Sequence, residues 1–250
     1  MKIRGLLLLL LAPWLEASEV RLAVASNAEA AFAALAERFE AAHDVRVILV
    51  SGSTGRHHAQ IVNGAPFDLL FAADAETPER LHASGHAAAS GTYAYGVLVL
   101  WSPQPGLIDR DGEILRTGTF RRLAYANPAV APYGKAAEEV MIAMDLLDPL
   151  RPRLVRGSSI GQTAHFVSSG AADLGFIALS QIQKPEGAAI PGSLWFPPAG
   201  SHAPLEQKWA LLNDTPSARA FLTFLTTPEA RKLLEGYGYT LPEYDAPDPG

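Results

Sequence analysis

A short motif that occurs twice is the feature that most constrains the fold of this chain. Each copy follows a strand-like run and opens a helical stretch, and the two copies are Gly52-Ser53-Thr54-Gly55 and Ser158-Ser159-Ile160-Gly161. Each helical stretch ends in a glycine–alanine pair and leads into a further apolar run, Asp68-Leu69-Leu70-Phe71 or Asp173-Leu174-Gly175-Phe176. Two ordinary strand–helix units could match in this way by coincidence. If the repeat is real, the chain forms two similar α/β lobes.

Strand-like and helix-like segments alternate along the remaining sequence. Strands are predicted at residues 20–25, 45–50, 67–72, 93–101, 122–126, 153–156, 174–179 and 208–212. Helices are predicted at residues 28–42, 53–62, 133–147, 160–169, 216–225 and 228–235, with a loop at residues 103–118. This alternation indicates parallel sheets covered by helices. The predicted fold is α/β, with two similar lobes, each a mainly parallel sheet flanked by helices, and a ligand cleft between them.

The N-terminal residues have the pattern of a secretory signal peptide. Lys2 and Arg4 precede a leucine-rich run that ends at Pro13, and Ala17 is a small residue at cleavage distance. We therefore predict a signal peptide at residues 1–17 and export of the rest of the chain. The alternative is an N-terminal anchor, although the apolar run is shorter than the ~20 residues that a membrane span needs. No later stretch is apolar enough over that length to span a membrane.

The composition excludes several classes of protein. A chain of 250 residues with 48% hydrophobic and 18% charged residues is typical of a folded globular protein. Its formal net charge of −6 argues against general binding to nucleic acid or to an anionic membrane. Because the chain has no cysteine, it has no disulfide, thiol nucleophile, zinc–cysteine site or iron–sulfur cluster.

Four predicted strands end in similar loops, and each loop leads towards a helix. These loops, residues 25–27, 50–54, 127–133 and 157–160, have no Lys or Arg. Ligands of open α/β sheets lie beyond the carboxyl ends of the strands, and four helix N-termini would together supply about two positive charges. Hydroxyl groups of Ser26, Thr54 and Tyr133 and the amide of Asn27 would add hydrogen-bond donors. These features predict a site for a small, fully deprotonated dianion, and the alternative is that the residues are only helix caps.

Segments along nearly all of the exported chain carry a family resemblance. They are Val24-Ala25-Ser26-Asn27, Ser51-Gly52-Ser53-Thr54-Gly55, residues 59–68, residues 127–134, Gly161-Gln162, residues 170–176 and residues 191–197. In the order and spacing of these segments the chain resembles the periplasmic molybdate-binding proteins of ABC transporters, which are two-lobed type II solute-binding proteins. The resemblance implies a periplasmic protein that closes its lobes on molybdate or tungstate and delivers the anion to a membrane permease.

The resemblance also implies which residues contact the anion. They are Ser26, Asn27, Thr54, Tyr133 and Ile160, with Ser53 and Ser159 as further candidates. Ser26 and Thr54 would offer hydroxyl groups, Asn27 a further donor, and Ile160 only its backbone N–H. Part of the family has a binding tyrosine where this chain has Ala178, and Tyr133 is expected to replace that phenol.

Further expectations concern organisation and chemistry. Residues 18–97 with 205–250 would form one lobe and residues 98–204 the other, with hinges near residues 95–99 and 206–209. The resemblance implies a monomer that is not an enzyme, that has no cofactor and that binds molybdenum only within its oxyanion.

Other functions compete with this interpretation. A sulfate-binding or other oxyanion-binding protein of the same fold would need the same charge and donors. Gly157-Ser158-Ser159-Ile160-Gly161 matches the G-x-S-x-G pattern of serine hydrolases, with Asp173 and His202 in the order that a catalytic triad would need. The histidines, including the adjacent pair His57-His58, are predicted to be solvated surface residues rather than metal ligands.

Overall fold

The computed structural model describes residues 18–185 and 187–243, so the predicted signal peptide lies outside the described residues. The strands are β1 Ser18–Ala25, β2 Val45–Gly52, β3 Leu69–Phe71, β4 Ala89–Gly96, β5 Leu98–Ser102, β6 Leu123–Ala126, β7 Leu154–Gly157, β8 Leu174–Ala178, β9 Ser193–Trp195 and β10 Leu205–Leu211. The helices are α1 Glu29–Ala42, α2 Thr54–Val62, α3 Glu76–Ala83, α4 Ile114–Thr117, α5 Pro132–Ala143, α6 Leu147–Leu150, α7 Ile160–Ser168, α8 Pro216–Leu225 and α9 Pro228–Gly236.

Two sheets of equivalent connectivity make up the framework. In the described residues the strand orders are β2-β1-β3-β10-β4 and β7-β6-β8-β5-β9. β1 pairs in parallel with β2 and β3, as β6 pairs in parallel with β7 and β8. β10 is added to the first sheet and β5 to the second as antiparallel strands, so each sheet is mixed. The predicted two-lobed α/β fold is confirmed, and the two motif copies open the equivalent helices α2 and α7.

The segment predicted as one strand at residues 93–101 consists of two strands in different sheets. β4 ends at Gly96 and β5 begins at Leu98, so the chain passes from the first sheet to the second at Val97. It returns between β9 and β10, at residues 196–204. The predicted hinge at residues 95–99 lies at the first passage, whereas residues 206–209 lie inside β10. The lobe boundaries themselves stay a prediction.

Other differences have local causes. The helix predicted to reach residue 147 ends at Ala143, because Asp145 adopts a positive φ of 58° that an α-helix cannot contain. The predicted loop at residues 103–118 contains the short helix α4. The sequence analysis did not predict α3 or β9, which are short elements of 8 and 3 residues.

The hydrophobic core holds the ends of the central strands in place. On one face of the first sheet, Phe32 and Phe39 of α1 pack with Phe71 and Phe221. The largest apolar cluster of the second sheet also includes Ala25 and Ala73 of the first. Packing is therefore continuous between the lobes where the carboxyl ends of β1 and β3 face the second lobe. Within the described residues, no helix is both long and apolar enough to cross a bilayer.

Candidate functional site

A small cavity lies between the two lobes, at the loops that the sequence analysis identified. Ser26, Asn27, Ser53 and Thr54 line it from the first lobe, and Tyr133 and Ile160 line it from the second. The cavity is small: the positions that the centre of a water molecule can occupy in it have a volume of about 10 Å³. The structure thus brings the predicted contacts together around one small cavity: Ser26, Asn27, Ser53, Thr54, Tyr133 and Ile160.

Three helices begin at this cavity. α2 begins at Thr54, α7 begins at Ile160, and Tyr133 is the second residue of α5. The first-turn N–H groups of a helix have no acceptor within the helix, and none of the described hydrogen bonds uses the backbone N–H of these three residues. With about half a positive charge for each helix N-terminus, the cavity has a positive potential without a cationic side chain.

The side chains around the cavity are neutral. Its lining contains no Lys, Arg, His, Asp or Glu in the described part of the chain. Burial raises the pKa of Tyr133 well above its ordinary value, and the nearby phenol of Tyr239 adds to this effect. Tyr133 therefore stays protonated and able to donate a hydrogen bond at physiological pH.

Hydroxyl groups at the cavity already accept hydrogen bonds from the protein. The Gly161 N–H donates to Ser26 Oγ at 3.1 Å, and the Ala73 N–H donates to Thr54 Oγ1 at 3.1 Å. A hydroxyl group that accepts from the protein still has its own hydrogen to donate. Ser26 and Thr54 are thus arranged as donors towards a ligand that only accepts.

The side chain of Asn27 is used differently from the expectation. Its Nδ2 donates to Gln207 Oε1 and to Tyr239 Oη, at 3.0 Å in both cases, so the amide is not a donor to a ligand. Its Oδ1 is buried and is without a hydrogen-bond partner among the described residues. The donor that Asn27 can still offer is its backbone N–H, which takes part in none of the described hydrogen bonds.

Direct hydrogen bonds connect the two lobes around the cavity. The Gly55 N–H donates to the carbonyl oxygen of Val130 at 3.0 Å, and Ser180 Oγ donates to the carbonyl oxygen of Asn27 at 2.8 Å. The Gly161–Ser26 bond is a third contact of this kind. The lobes are therefore closed on each other.

This chain is similar in sequence and in fold to known proteins. The model of the family described as bacterial extracellular solute-binding protein matches residues 20–240. This chain belongs to that family.

Two relatives and one solved structure are named for molybdate binding. The molybdate-binding protein ModA of Azotobacter vinelandii is 42% identical over 93% of this chain and 94% of its own length. ModA of Rhodobacter capsulatus is 38% identical over 89% of this chain and 88% of its own length. The solved periplasmic molybdate-binding protein of Azotobacter vinelandii has a TM-score of 0.86 at 40% identity, covering 90% of this chain and all of that one.

Ser159 caps a helix in this solute-binding protein. It does not line the cavity, but it lines an adjoining depression that shares Ser26, Gly52 and Ser53 with the cavity. Its Oγ accepts from the Gln162 N–H at 3.1 Å and so caps α7. The other triad candidates bond elsewhere, since Asp173 accepts from Arg121 and His202 Nδ1 contacts the carbonyl oxygen of Ala203. No described hydrogen bond assembles the triad that the hydrolase alternative needs.

The prediction that His57 is a solvated surface residue is wrong. His57 is only 1% exposed, and its Nε2 lies 3.1 Å from the carbonyl oxygen of Val24. Gly52 leaves the room for this ring, because a Cβ on Gly52 would lie 2.9 Å from His57 Nε2. The described residues contain no group of three or more His, Asp or Glu side chains that could hold a metal ion.

The sequence analysis missed a buried polar network behind the cavity of this solute-binding protein. Gln207 is fully buried and contacts Tyr93, Tyr133 and Asn27 through hydrogen bonds. Gln207 stands between Glu206 and Lys208, just before the strand predicted at residues 208–212, and this local pattern does not reveal its partners. Ala178, at the position of the absent family tyrosine, is buried at the end of β8.

Proposed function

We propose that this solute-binding protein captures molybdate between its lobes and delivers it to the membrane permease of an ABC importer. The observation that carries the proposal is a cavity formed by three helix N-termini and neutral hydroxyl donors, with no charged side chain in its described lining. Two molybdate-binding proteins at 42% and 38% identity to this chain support the choice of anion.

The arrangement suits a dianion that has lost all its protons. Backbone N–H groups and hydroxyl groups donate to such an anion, and each hydrogen bond to a charged group contributes roughly 1.5–3 kcal/mol. The helix N-termini stabilise the negative charge without a formal counter-ion. A hydrogen phosphate ion has a proton of its own and needs an acceptor, so a site built of donors disfavours it.

The finer parts of the proposal follow the same chemistry. Tungstate has the same charge and tetrahedral shape as molybdate, so we expect it to bind as well. The contacts are made by Ser26, Asn27, Thr54, Tyr133 and Ile160, with Ser53 as a further contact. The protein works in the periplasm as a monomer, after removal of residues 1–17, and binds its ligand without chemical conversion.

A ligand panel tests the proposal. Thermal unfolding of the purified protein is measured with molybdate, tungstate, sulfate and phosphate, and dissociation constants are then measured by calorimetry. A ligand at a hundredfold excess over its Kd stabilises the folded state by about 2.7 kcal/mol. We expect large shifts in melting temperature with molybdate and tungstate and small shifts with sulfate and phosphate.

Two results would contradict the proposal in different ways. A shift with sulfate alone would retain an anion site but reject molybdate. No shift with any oxyanion would mean that the loops only cap their helices, and labelling of Ser159 by an active-site serine probe would then favour the hydrolase.

A further inference from the structure

Gln207 lies at the centre of the hydrogen-bond network behind the cavity. It belongs to β10 in the first sheet, and its side chain is fully buried. The register of β10 against β4 shifts between Gln207 and Lys208, which marks an irregularity of the bulge type. Such irregularities redirect side chains, and here the polar side chain of Gln207 contacts Tyr133, which lines the cavity.

The partners of Gln207 fix the direction of its amide group. Gln207 Oε1 accepts from Tyr93 Oη at 2.7 Å and from Asn27 Nδ2 at 3.0 Å. If the oxygen and nitrogen of this amide were exchanged, the NH₂ groups of Gln207 and Asn27 would face each other. The Gln207 NH₂ group must therefore lie at the other end, where Nε2 donates to Tyr133 Oη at 3.0 Å.

This direction decides what the phenol of Tyr133 can do. A phenol oxygen that accepts from Gln207 keeps its own hydrogen for another acceptor. The opposite amide orientation would draw that hydrogen to Gln207 and leave the cavity without a phenol donor. We propose that Gln207, held by Tyr93, is a positioning residue that makes Tyr133 a donor to the bound oxyanion. This inference rests on the proposed function.

The same contact connects the donor to lobe closure. Gln207 lies in the first sheet, whereas Tyr133 lies at the start of α5, beside the second sheet. The two side chains meet against Gly96, where a Cβ would lie 2.0 Å from Tyr133 Oη and 2.3 Å from Gln207 Nε2. The hydrogen bond between Gln207 and Tyr133 connects the two lobes. The Tyr133 hydroxyl group is therefore oriented by Gln207 only in the closed protein.

The decisive variant is Gln207→Glu, studied with micromolar molybdate by calorimetry between pH 5.5 and pH 8. A carboxylate accepts the Tyr133 hydrogen instead of donating to the phenol, so we expect the Kd at pH 8 to rise about a hundredfold. A buried carboxyl group has a raised pKa, so a growing share of the variant carries a neutral acid as the pH falls. The neutral acid can donate to Tyr133 again, and binding should therefore recover about tenfold towards pH 5.5.

Controls separate this role from a general loss of structure. Within the network, Tyr93 and Tyr133 bond to Gln207 and Tyr239 bonds to Asn27. Burial raises the pKa of each phenol, so these groups keep their protons and the wild-type Kd should stay level over the same pH range. Asp74, which acts on the Tyr93 phenol, is a further titratable group, and partial burial raises its pKa. Gln104→Glu, with the same chemical change on an exposed side chain, should bind as the wild type does.

The outcomes are distinguishable. A Gln207→Glu variant that binds as the wild type does, or whose loss is the same at every pH, would overturn the positioning role while the proposed function stands. A wild-type protein that binds no oxyanion would overturn the proposed function itself. If Gln207→Glu does not fold, Tyr93→Phe decides: a Kd raised about 2- to 10-fold supports the inference, and an unchanged Kd overturns it.

Discussion

Among single residues, Tyr133 is the side chain with the clearest expected effect on the ligand. Tyr133→Phe removes one hydrogen bond to a charged group, so we expect molybdate binding to weaken by roughly 1.5–3 kcal/mol in calorimetry. The variant also leaves Gln207 Nε2 without its acceptor, so the ligand-free protein should melt at a lower temperature. The matched control is Tyr125→Phe, because the Tyr125 hydroxyl group accepts from Arg156 and not from Gln207. An unchanged Kd would remove Tyr133 from the site.

His57 gives the protein a dependence of stability on pH. Burial lowers the pKa of His57 in the folded state, so the unfolded chain binds a proton more readily. The contribution of the neutral ring is therefore complete above the ordinary imidazole pKa of about 6.5 and is lost as the pH falls below it.

Chemical denaturation between pH 7.5 and pH 5 measures this effect. We expect His57→Gln to flatten the decline in the free energy of unfolding towards acid, and His165→Gln, on an exposed side chain, to leave the decline unchanged. Equal slopes in the wild type and in His57→Gln would contradict the assignment.

At the scale of elements, α2 and α7 are equivalent helices with different caps. Ser159 caps α7 through its hydroxyl group, whereas Ser53 makes no such bond at α2. Ser159→Ala should therefore cost about 1 kcal/mol of unfolding free energy, and Ser53→Ala only a few tenths. Ser159→Ala should also leave the Kd for molybdate near that of the wild type. The reverse order of stability, measured in urea, would mean that the caps are assigned to the wrong helices.

The same elements show what the sequence could predict. Ser26, Thr54 and Tyr133 could be predicted from local pattern, because each lies in a loop between a strand and a helix, whereas Ile160 was added by the family resemblance. Gln207 could not be predicted in this way, because its partners Asn27, Tyr93 and Tyr133 are 180, 114 and 74 residues away. The division of residues 93–101 into two strands was missed for a related reason. Both halves have the composition of a strand, and only the tertiary structure assigns them to different sheets.

For the whole molecule, Gly96 is the position at which closure can be tested. An added Cβ would overlap the Tyr133 hydroxyl in the closed arrangement, so Gly96→Ala should keep its lobes apart and bind molybdate poorly. Small-angle scattering should show the wild type contracting on molybdate binding and the variant unchanged.

Gly91→Ala is the contrasting variant. Its Cβ would crowd Trp209 within the first sheet, so it should lower the melting temperature yet still contract with the ligand. Contraction of Gly96→Ala to the wild-type dimensions would show that this glycine does not control closure.

The strand order of the first sheet has a consequence for the time course of synthesis. β4 is joined to its sheet through β10 alone, and β10 is separated from β4 by all the strands of the second sheet. A chain delivered from its N-terminus thus presents the complete set β5 to β9 while β4 still lacks its neighbour. Since domains generally form as their residues emerge, the second sheet can assemble first, and the first sheet is completed only when β10 arrives.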